Sequence, residues 1–184
     1  MMAGLLDRVR NTRFAVVRRI GSVVVIVSAG TFQLCGLLGI RINTSASLPV
    51  GLYLVTTEGN ANLVEFCPAE PFAAVSLARG YRSPGGCQDG GAPLLKPIVA
   101  KCGDVVELSA RGICVNGRLL VNTVPLAEDT KGRPLKSWPL GHFEVAPGTV
   151  WVASSYDSRS FDSRYFGPVS IVAIRNRLKV LLTL

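Results

Sequence analysis

The sequence predicts a mainly β protein: a twisted, antiparallel β unit behind one N-terminal transmembrane helix. Three observations carry that prediction. An uncharged apolar run lies near the amino terminus, short β-type runs follow it, and Gly, Pro, Asn and Asp punctuate those runs at close spacing. Of the 184 residues, 48% are apolar and 17% charged, with 19 Gly and 11 Pro, a balance that excludes a disordered, collagen-like or coiled-coil chain. No repeat of 20 to 50 residues recurs, which excludes a solenoid.

The first element is the run from Ile20 to Ile40, 21 residues without a charge. At 1.5 Å rise per residue, a helix of that length covers the roughly 30 Å hydrocarbon core of a bilayer. Val and Ile favour strands in water, but a segment in lipid must satisfy its own backbone, which a single helix does. The run exceeds the roughly 7 to 15 apolar residues of a cleaved secretory signal, so an uncleaved anchor is expected. Cys35 is read as a lipid-facing thiol rather than a lipoprotein acceptor, because Gln33 and Leu34 stand where small residues would be needed.

Arg8, Arg10, Arg13, Arg18 and Arg19 precede the run against one acid, Asp7, so residues 1–19 hold half of the formal charge of +8. The positive-inside rule keeps that segment in the cytoplasm and exports everything after Arg41. Three parts are therefore expected: a basic cytoplasmic segment (1–19), the anchor (20–40) and an exported β-rich domain (41–184). About 145 residues remain beyond the anchor, enough for one core. Because the basicity is clustered beside the membrane, no nucleic-acid partner is expected.

Within the exported part the strand candidates are Leu52–Thr56, Leu63–Phe66, Leu94–Lys101, Val105–Leu108, Ile113–Val115, Thr149–Ala153 and Ile171–Ile174. Ser109-Ala110-Arg111-Gly112 reads as a hairpin loop, and Asn116-Gly117 as a second tight turn. Residues 68–93, rich in Pro and Gly, read as a long loop around a short helical or strand piece. The stretch from Ile171 to Leu184 is too short to span a membrane and reads either as a closing strand or as an interfacial tail.

Cys67, Cys87, Cys102 and Cys114 would lie in an oxidising compartment. Four cysteines allow three pairings, of which Cys67 with Cys87 and Cys102 with Cys114 are the local choices. There is no C-x-x-C and only one His, so neither a metal nor a cofactor is expected.

The single His142 sits in Leu140-Gly141-His142-Phe143 without a supporting motif and reads as a surface or structural residue. Serine can instead be activated by a lysine, provided the amine is neutral. An ordinary lysine titrates at about 10.4, so it must be desolvated to serve as a base. Lys96, inside the apolar run Leu94 to Ala100, has that opportunity. Taken alone, Lys96 reads rather as a lysine on the solvent side of an edge strand marked by Pro97. Asp162 and Arg164, two apart, read alone as a structural ion pair.

Three segments give Lys96 company. They are Asn43-Thr44-Ser45-Ala46-Ser47-Leu48-Pro49-Val50-Gly51-Leu52-Tyr53, Lys96-Pro97 through Gly103-Asp104, and Ser160-Phe161-Asp162-Ser163-Arg164-Tyr165-Phe166-Gly167. In this order they resemble the serine box, the lysine box and the S-x-D-S-R-x-x-G box of the type I signal peptidase family. The form Asn-x-x-x-Ser-x-Pro-x-Gly-Leu-Tyr is most similar to its conjugative-transfer branch, the TraF-type peptidases.

The resemblance implies a signal-peptidase-like β fold and a serine peptidase with a Ser-Lys dyad. Ser47 would be the nucleophile and Lys96 its general base. The Ser45 hydroxyl and the Ser47 amide would form the oxyanion hole. Ser160 would orient the lysine, Asp162 and Arg164 would hold the wall of the site, and Gly103-Asp104 would build the turn after the lysine strand. Pro97 departs from the family's basic residue, and Lys101-Cys102 from its apolar-Pro pair, which makes Lys101 the rival base. Asp157-Ser158-Arg159 duplicates Asp162-Ser163-Arg164, and the downstream Gly167 selects the second copy.

The implied substrate is a membrane-anchored precursor, foremost a conjugative pilin precursor, with cyclisation of the product as a further implied outcome. Membrane lipid and the type IV secretion components of conjugative transfer are the implied partners. The implied place is the bacterial inner membrane, single-pass, with the catalytic domain in the periplasm. Ser47 lies seven residues past Ile40, so the site would be held within about 25 Å of the helix end. A housekeeping signal peptidase is the alternative within the enzyme class. A non-catalytic, membrane-anchored scaffold of a secretion or pilus complex is the alternative outside it.

Overall fold

The computed structural model describes residues 36–184. The chain divides into two compact units, Met1–Arg41 and Ile42–Leu184. The basic segment and nearly all of the expected anchor lie outside the described residues. The described end of the first unit is a helical turn at residues 36–37, closed by the Gly39 amide on the Gly36 carbonyl (3.1 Å), followed by the start of a strand at Ile40. Among the described residues no helix is long and apolar enough to cross a membrane.

Eleven strands follow in chain order: β1 Ile40–Asn43, β2 Gly51–Thr56, β3 Leu63–Phe66, β4 Leu94–Lys101, β5 Val105–Ser109, β6 Gly112–Val115, β7 Arg118–Leu119, β8 Gly141–Glu144, β9 Thr149–Val152, β10 Val169–Ser170 and β11 Ile174–Thr183. Helix α1 (Phe72–Ala78) follows β3 and helix α2 (Ser163–Phe166) follows β9. The seven-stranded sheet runs β1-β2-β11-β3-β4-β9-β10, and the four-stranded sheet β7-β6-β5-β8. The registered pairings are all antiparallel.

Strand β9 explains how two cores meet in one chain. Successive side chains of a strand point to opposite faces. Val150 and Val152 therefore join Val64, Phe66, Leu94, Phe161, Tyr165 and Phe166 on one side. Trp151 joins Val106, Leu108, Ile113 and Val145 on the other. With both faces covered, the strand is apolar without alternation, which is why Thr149 to Ala153 reads as a buried run.

The two predicted turns form as their residues require. Ser109 pairs with Gly112 across a two-residue loop. Val115 pairs with Arg118 around Asn116 (φ 49°) and Gly117 (φ 83°), both in the left-handed region that a tight hairpin of this type needs. The Asn116 side chain also accepts from the Val105 amide and donates to Asp104, both at 2.8 Å. This ties the hairpin to the turn after β4.

Two sequence expectations are corrected here. Ile171–Ile174 is not a strand, because Ile171–Ala173 forms a 3₁₀ turn and the strand begins at Ile174. That strand, β11, is a closing strand lodged between β2 and β3, not a tail. Its charges are taken up at the sheet surface: Arg177 donates to the Ala61 carbonyl (2.7 Å) and Lys179 pairs with Glu58 (2.7 Å). The disulfide Cys67–Cys87 forms, but Cys102 and Cys114 are free thiols. Cys102 lies in the exposed turn after β4, whereas the ladder fixes Cys114 opposite Glu107 on β5 and Leu119 on β7.

Candidate active site

Strand β4 carries Lys96 inward. Its neighbours alternate, with Leu94 and Lys96 buried, and Lys96 pairs with Val64 on β3. The residue is 3% exposed, so the solvent-side reading of this lysine is corrected. Nor is β4 an edge strand, since β3 and β9 flank it. Pro97, which has no N–H to give to a ladder, is tolerated just before an irregularity in the β4–β9 pairing between Ile98 and Ala100. Lys101 is exposed at the end of the strand, and its amide donates to Asp104 (2.8 Å) in the turn that also contains Gly103 (φ 88°).

Ser47 lies in the turn between β1 and β2, half-buried. The Lys96 amine is 2.5 Å from Ser47 Oγ and 2.8 Å from Ser160 Oγ. Burial strips water from the ammonium and lowers the Lys96 pKa from 10.5 to about 8. Asp162 and Asp157 pull it back up, and Arg164 pushes it further down. At neutral pH a useful fraction of this amine is therefore unprotonated, within reach of a hydroxyl that a base could activate.

Ser160 owes its place to the buried pair Asp162–Arg164, neither of which reaches solvent. Asp162 caps α2 by accepting the Arg164 amide (3.2 Å) and takes the Arg164 side chain at both oxygens (2.8 and 2.9 Å). The remaining guanidinium hydrogens go to the carbonyls of Ser160 and Ser158, both at 2.8 Å, and to Asn122 (3.0 Å) and Val124 (3.3 Å). One planar, five-donor group thus gathers the loop that presents Ser160 and the segment that follows β7. Gly167 closes the same box. Its φ of 71° suits glycine, and a Cβ there would run into the Trp138 ring. The first copy differs sharply, with the Arg159 side chain 63% exposed and only a 3.8 Å contact to Asp157. The second copy is the one built into the site.

Ser45 stands apart from the expectation. It is exposed, and its hydroxyl donates to Asn43 Oδ1 (2.8 Å). A hydroxyl has one hydrogen, so stabilising a substrate oxyanion requires that this bond be given up. His142 is exposed on β8 in the four-stranded sheet. Among the described residues no three His, Cys, Asp or Glu side chains converge on a point that could hold a metal.

Two contributors escape a reading of the sequence. The Ser154 hydroxyl donates to the Ser47 carbonyl (2.5 Å) while the Ser154 amide donates to Asp162 (3.0 Å), so this buried serine joins the nucleophile turn to the ion pair. The Tyr53 hydroxyl donates to the Pro49 carbonyl (2.7 Å) from β2, and burial of the ring raises its pKa. Ser154 carries no signal beyond lying at the end of an apolar strand. Tyr53 closes the first box, where the resemblance gives it no role of its own.

The candidate site is thus a buried amine between two serine hydroxyls on an antiparallel β framework. The chain belongs to the signal peptidase family, peptidase S26, whose model matches residues 13–183. Membership of that family implies a serine peptidase. The chain is similar to the plasmid transfer protein TraF of Escherichia coli, at 32% identity over 176 residues, covering 91% of this chain and 98% of the relative. It is also similar to the conjugal transfer protein TraF of Agrobacterium fabrum strain C58, at 35% identity over 161 residues, 84% of this chain and 88% of the relative. Among solved structures, signal peptidase I of Enterococcus faecalis V583 matches at 20% identity and a TM-score of 0.35, over 68% of this chain and 99% of its own.

Proposed function

We propose that the protein is a membrane-anchored serine endopeptidase that processes exported precursors, foremost a conjugative pilin precursor, through a Ser47–Lys96 dyad. The observation that carries this reading is the buried Lys96 amine within hydrogen-bond reach of both Ser47 and Ser160. The similarity to proteins described as acting in plasmid and conjugal transfer supports the choice of substrate.

In this mechanism neutral Lys96 takes the Ser47 hydroxyl proton as Oγ attacks the scissile carbonyl. The ammonium then protonates the leaving amine, and the C–N bond breaks. Ser160 holds the amine in line throughout, while the Ser47 amide and the Ser45 hydroxyl, once turned away from Asn43, take the oxyanion charge. Water, activated by the same lysine, releases the acyl group. Where the amine of the same chain replaces water, the product is a ring and one water fewer is consumed.

The anchor would place this site on the periplasmic face of the inner membrane, beside a precursor's own membrane segment. Co-expression with the pilin precursor of the same conjugative system tests the reading. The wild type converts the precursor, and Ser47→Ala and Lys96→Ala do not although both accumulate. Product masses separate hydrolysis from ring closure by one water. Unchanged conversion by Ser47→Ala would refute the proposal, and an inactive alkaline phosphatase fused to the carboxyl terminus would refute the topology.

A further inference from the structure

We infer that Asn43 is a positioning residue for the nucleophile turn, a role that rests on the reading of Ser47 as nucleophile. Asn43 is the last residue of β1, and it is buried although Thr44, Ser45 and Ala46 immediately after it are exposed. Its amide nitrogen donates to the carbonyls of Ser45 (3.0 Å), Leu48 (3.1 Å) and Pro49 (3.1 Å). Its amide oxygen accepts from the Ser45 amide (3.2 Å) and the Ser45 hydroxyl (2.8 Å). A single planar group thus binds the turn on both sides of Ser47.

Only asparagine meets these demands. Two N–H donors face three carbonyls, so one hydrogen is shared, and the oxygen must accept at the same time. Aspartate has the shape but would set a carboxylate against three carbonyl dipoles. Glutamine is one methylene too long for a site packed under the turn.

Ser154 reaches one further carbonyl, that of Ser47, and Tyr53 reaches the Pro49 carbonyl that Asn43 also serves. These bonds leave the arm before Ser47 unheld. Among the described residues, Asn43 is the side chain that joins that arm, at Ser45, to the arm after it, at Leu48 and Pro49. The consequence lies in alignment rather than in affinity. The Oγ of Ser47 meets Lys96 from a turn whose leading edge is in solvent, and misplacement by about 1 Å costs on the order of 100-fold in rate.

The test compares wild type with Asn43→Asp and Asn43→Ser on the pilin precursor of the same conjugative system, alongside hydrogen exchange of the purified full chain. We expect kcat to fall about 100-fold with KM within about threefold. The midpoint of the pH profile stays near that of the wild type, because Lys96 keeps its burial. Exchange quickens in peptides covering residues 44–50 while those of β3, β4 and β9 keep their protection. Retention of kcat by Asn43→Asp would overturn the inference. So would exchange that quickens throughout the sheet, which would mark a merely structural residue. If the wild type cleaves no precursor, the dyad reading fails, and the exchange of residues 44–50 still decides whether Asn43 holds the turn.

Discussion

The amine of Lys96 lies 2.5 Å from the hydroxyl oxygen of Ser47, across 49 positions of sequence. Each partner is delivered by a different device. Lys96 rides on an interior strand whose register is set by Val64, whereas Ser47 rides on a turn gripped by Asn43, Tyr53 and Ser154. A rigid strand supplies the amine and a braced turn supplies the hydroxyl, so the pair does not depend on either side chain finding its place from solvent.

The first prediction concerns pH. Under the proposed mechanism acylation requires the neutral form of Lys96, whose pKa is lowered by burial to about 8. The acylation rate should rise about tenfold per pH unit below that value and level off above it. A rate flat from about pH 6 to about pH 9 would exclude an amine base.

The second concerns stability. Below pH 8 the folded state must either carry a proton on a desolvated amine or lose it, while the unfolded chain holds that proton freely up to about 10.5. Folding therefore opposes protonation, and the stability of the wild type should rise between pH 8 and 10.5. The difference between the two values corresponds to about 3 kcal/mol at neutral pH. Lys96→Met relieves it and gives up two hydrogen bonds worth about 1 kcal/mol each. The variant should thus be more stable than wild type by about 1 kcal/mol at neutral pH, an increase in melting temperature of roughly 2–4 °C. That advantage should vanish by about pH 10, and thermal denaturation at the two pH values reads both.

What the sequence revealed follows the range of the forces involved. Leu63–Phe66 and Leu94–Lys101 match their observed bounds because apolar runs ending at turn residues are local signals. Asn116-Gly117 was legible for the same reason. Strand β11 was legible only as one of two readings, because Arg175, Arg177 and Lys179 mask a strand whose charges find the Ala61 carbonyl and Glu58, far away in sequence. In the site, the three boxes named Ser47, Lys96, Ser160, Asp162 and Arg164. Asn43 opens the first box without a role and Ser154 lies outside all three, because both act by binding backbone carbonyls, and a carbonyl has no letter in a sequence. The pairing of Cys102 with Cys114 failed because short spacing does not report which way a strand and a turn face.

The third prediction separates the two lysines of the β4 box. Lys101 is exposed, and its backbone amide is engaged by Asp104. Lys101→Ala should process precursor within about twofold of the wild-type rate, surface substitutions of this kind changing stability by about 0.5 kcal/mol at most. Loss of processing by Lys101→Ala, with full processing by Lys96→Ala, would move the base to the exposed lysine.

The last concerns Arg164, whose conservative replacement should not be conservative. Its guanidinium serves Asp162 at two oxygens and four backbone carbonyls, including that of Ser160, with no access to water. Lysine keeps the charge but offers three donors on a flexible stem, so it leaves buried carbonyls unpaired and cannot form the bidentate contact. Removing one partner of a buried pair costs about 3–5 kcal/mol, and Arg164→Lys should lose most of that amount in urea denaturation. The functional effect should exceed that of Ser160→Ala, because Arg164 anchors the Ser160 carbonyl and, through Asp162, the Ser154 amide that leads to Ser47. Near wild-type stability and processing in Arg164→Lys would show that the loop holds its shape without the fork, and would remove the ion pair from the account of how the dyad is assembled.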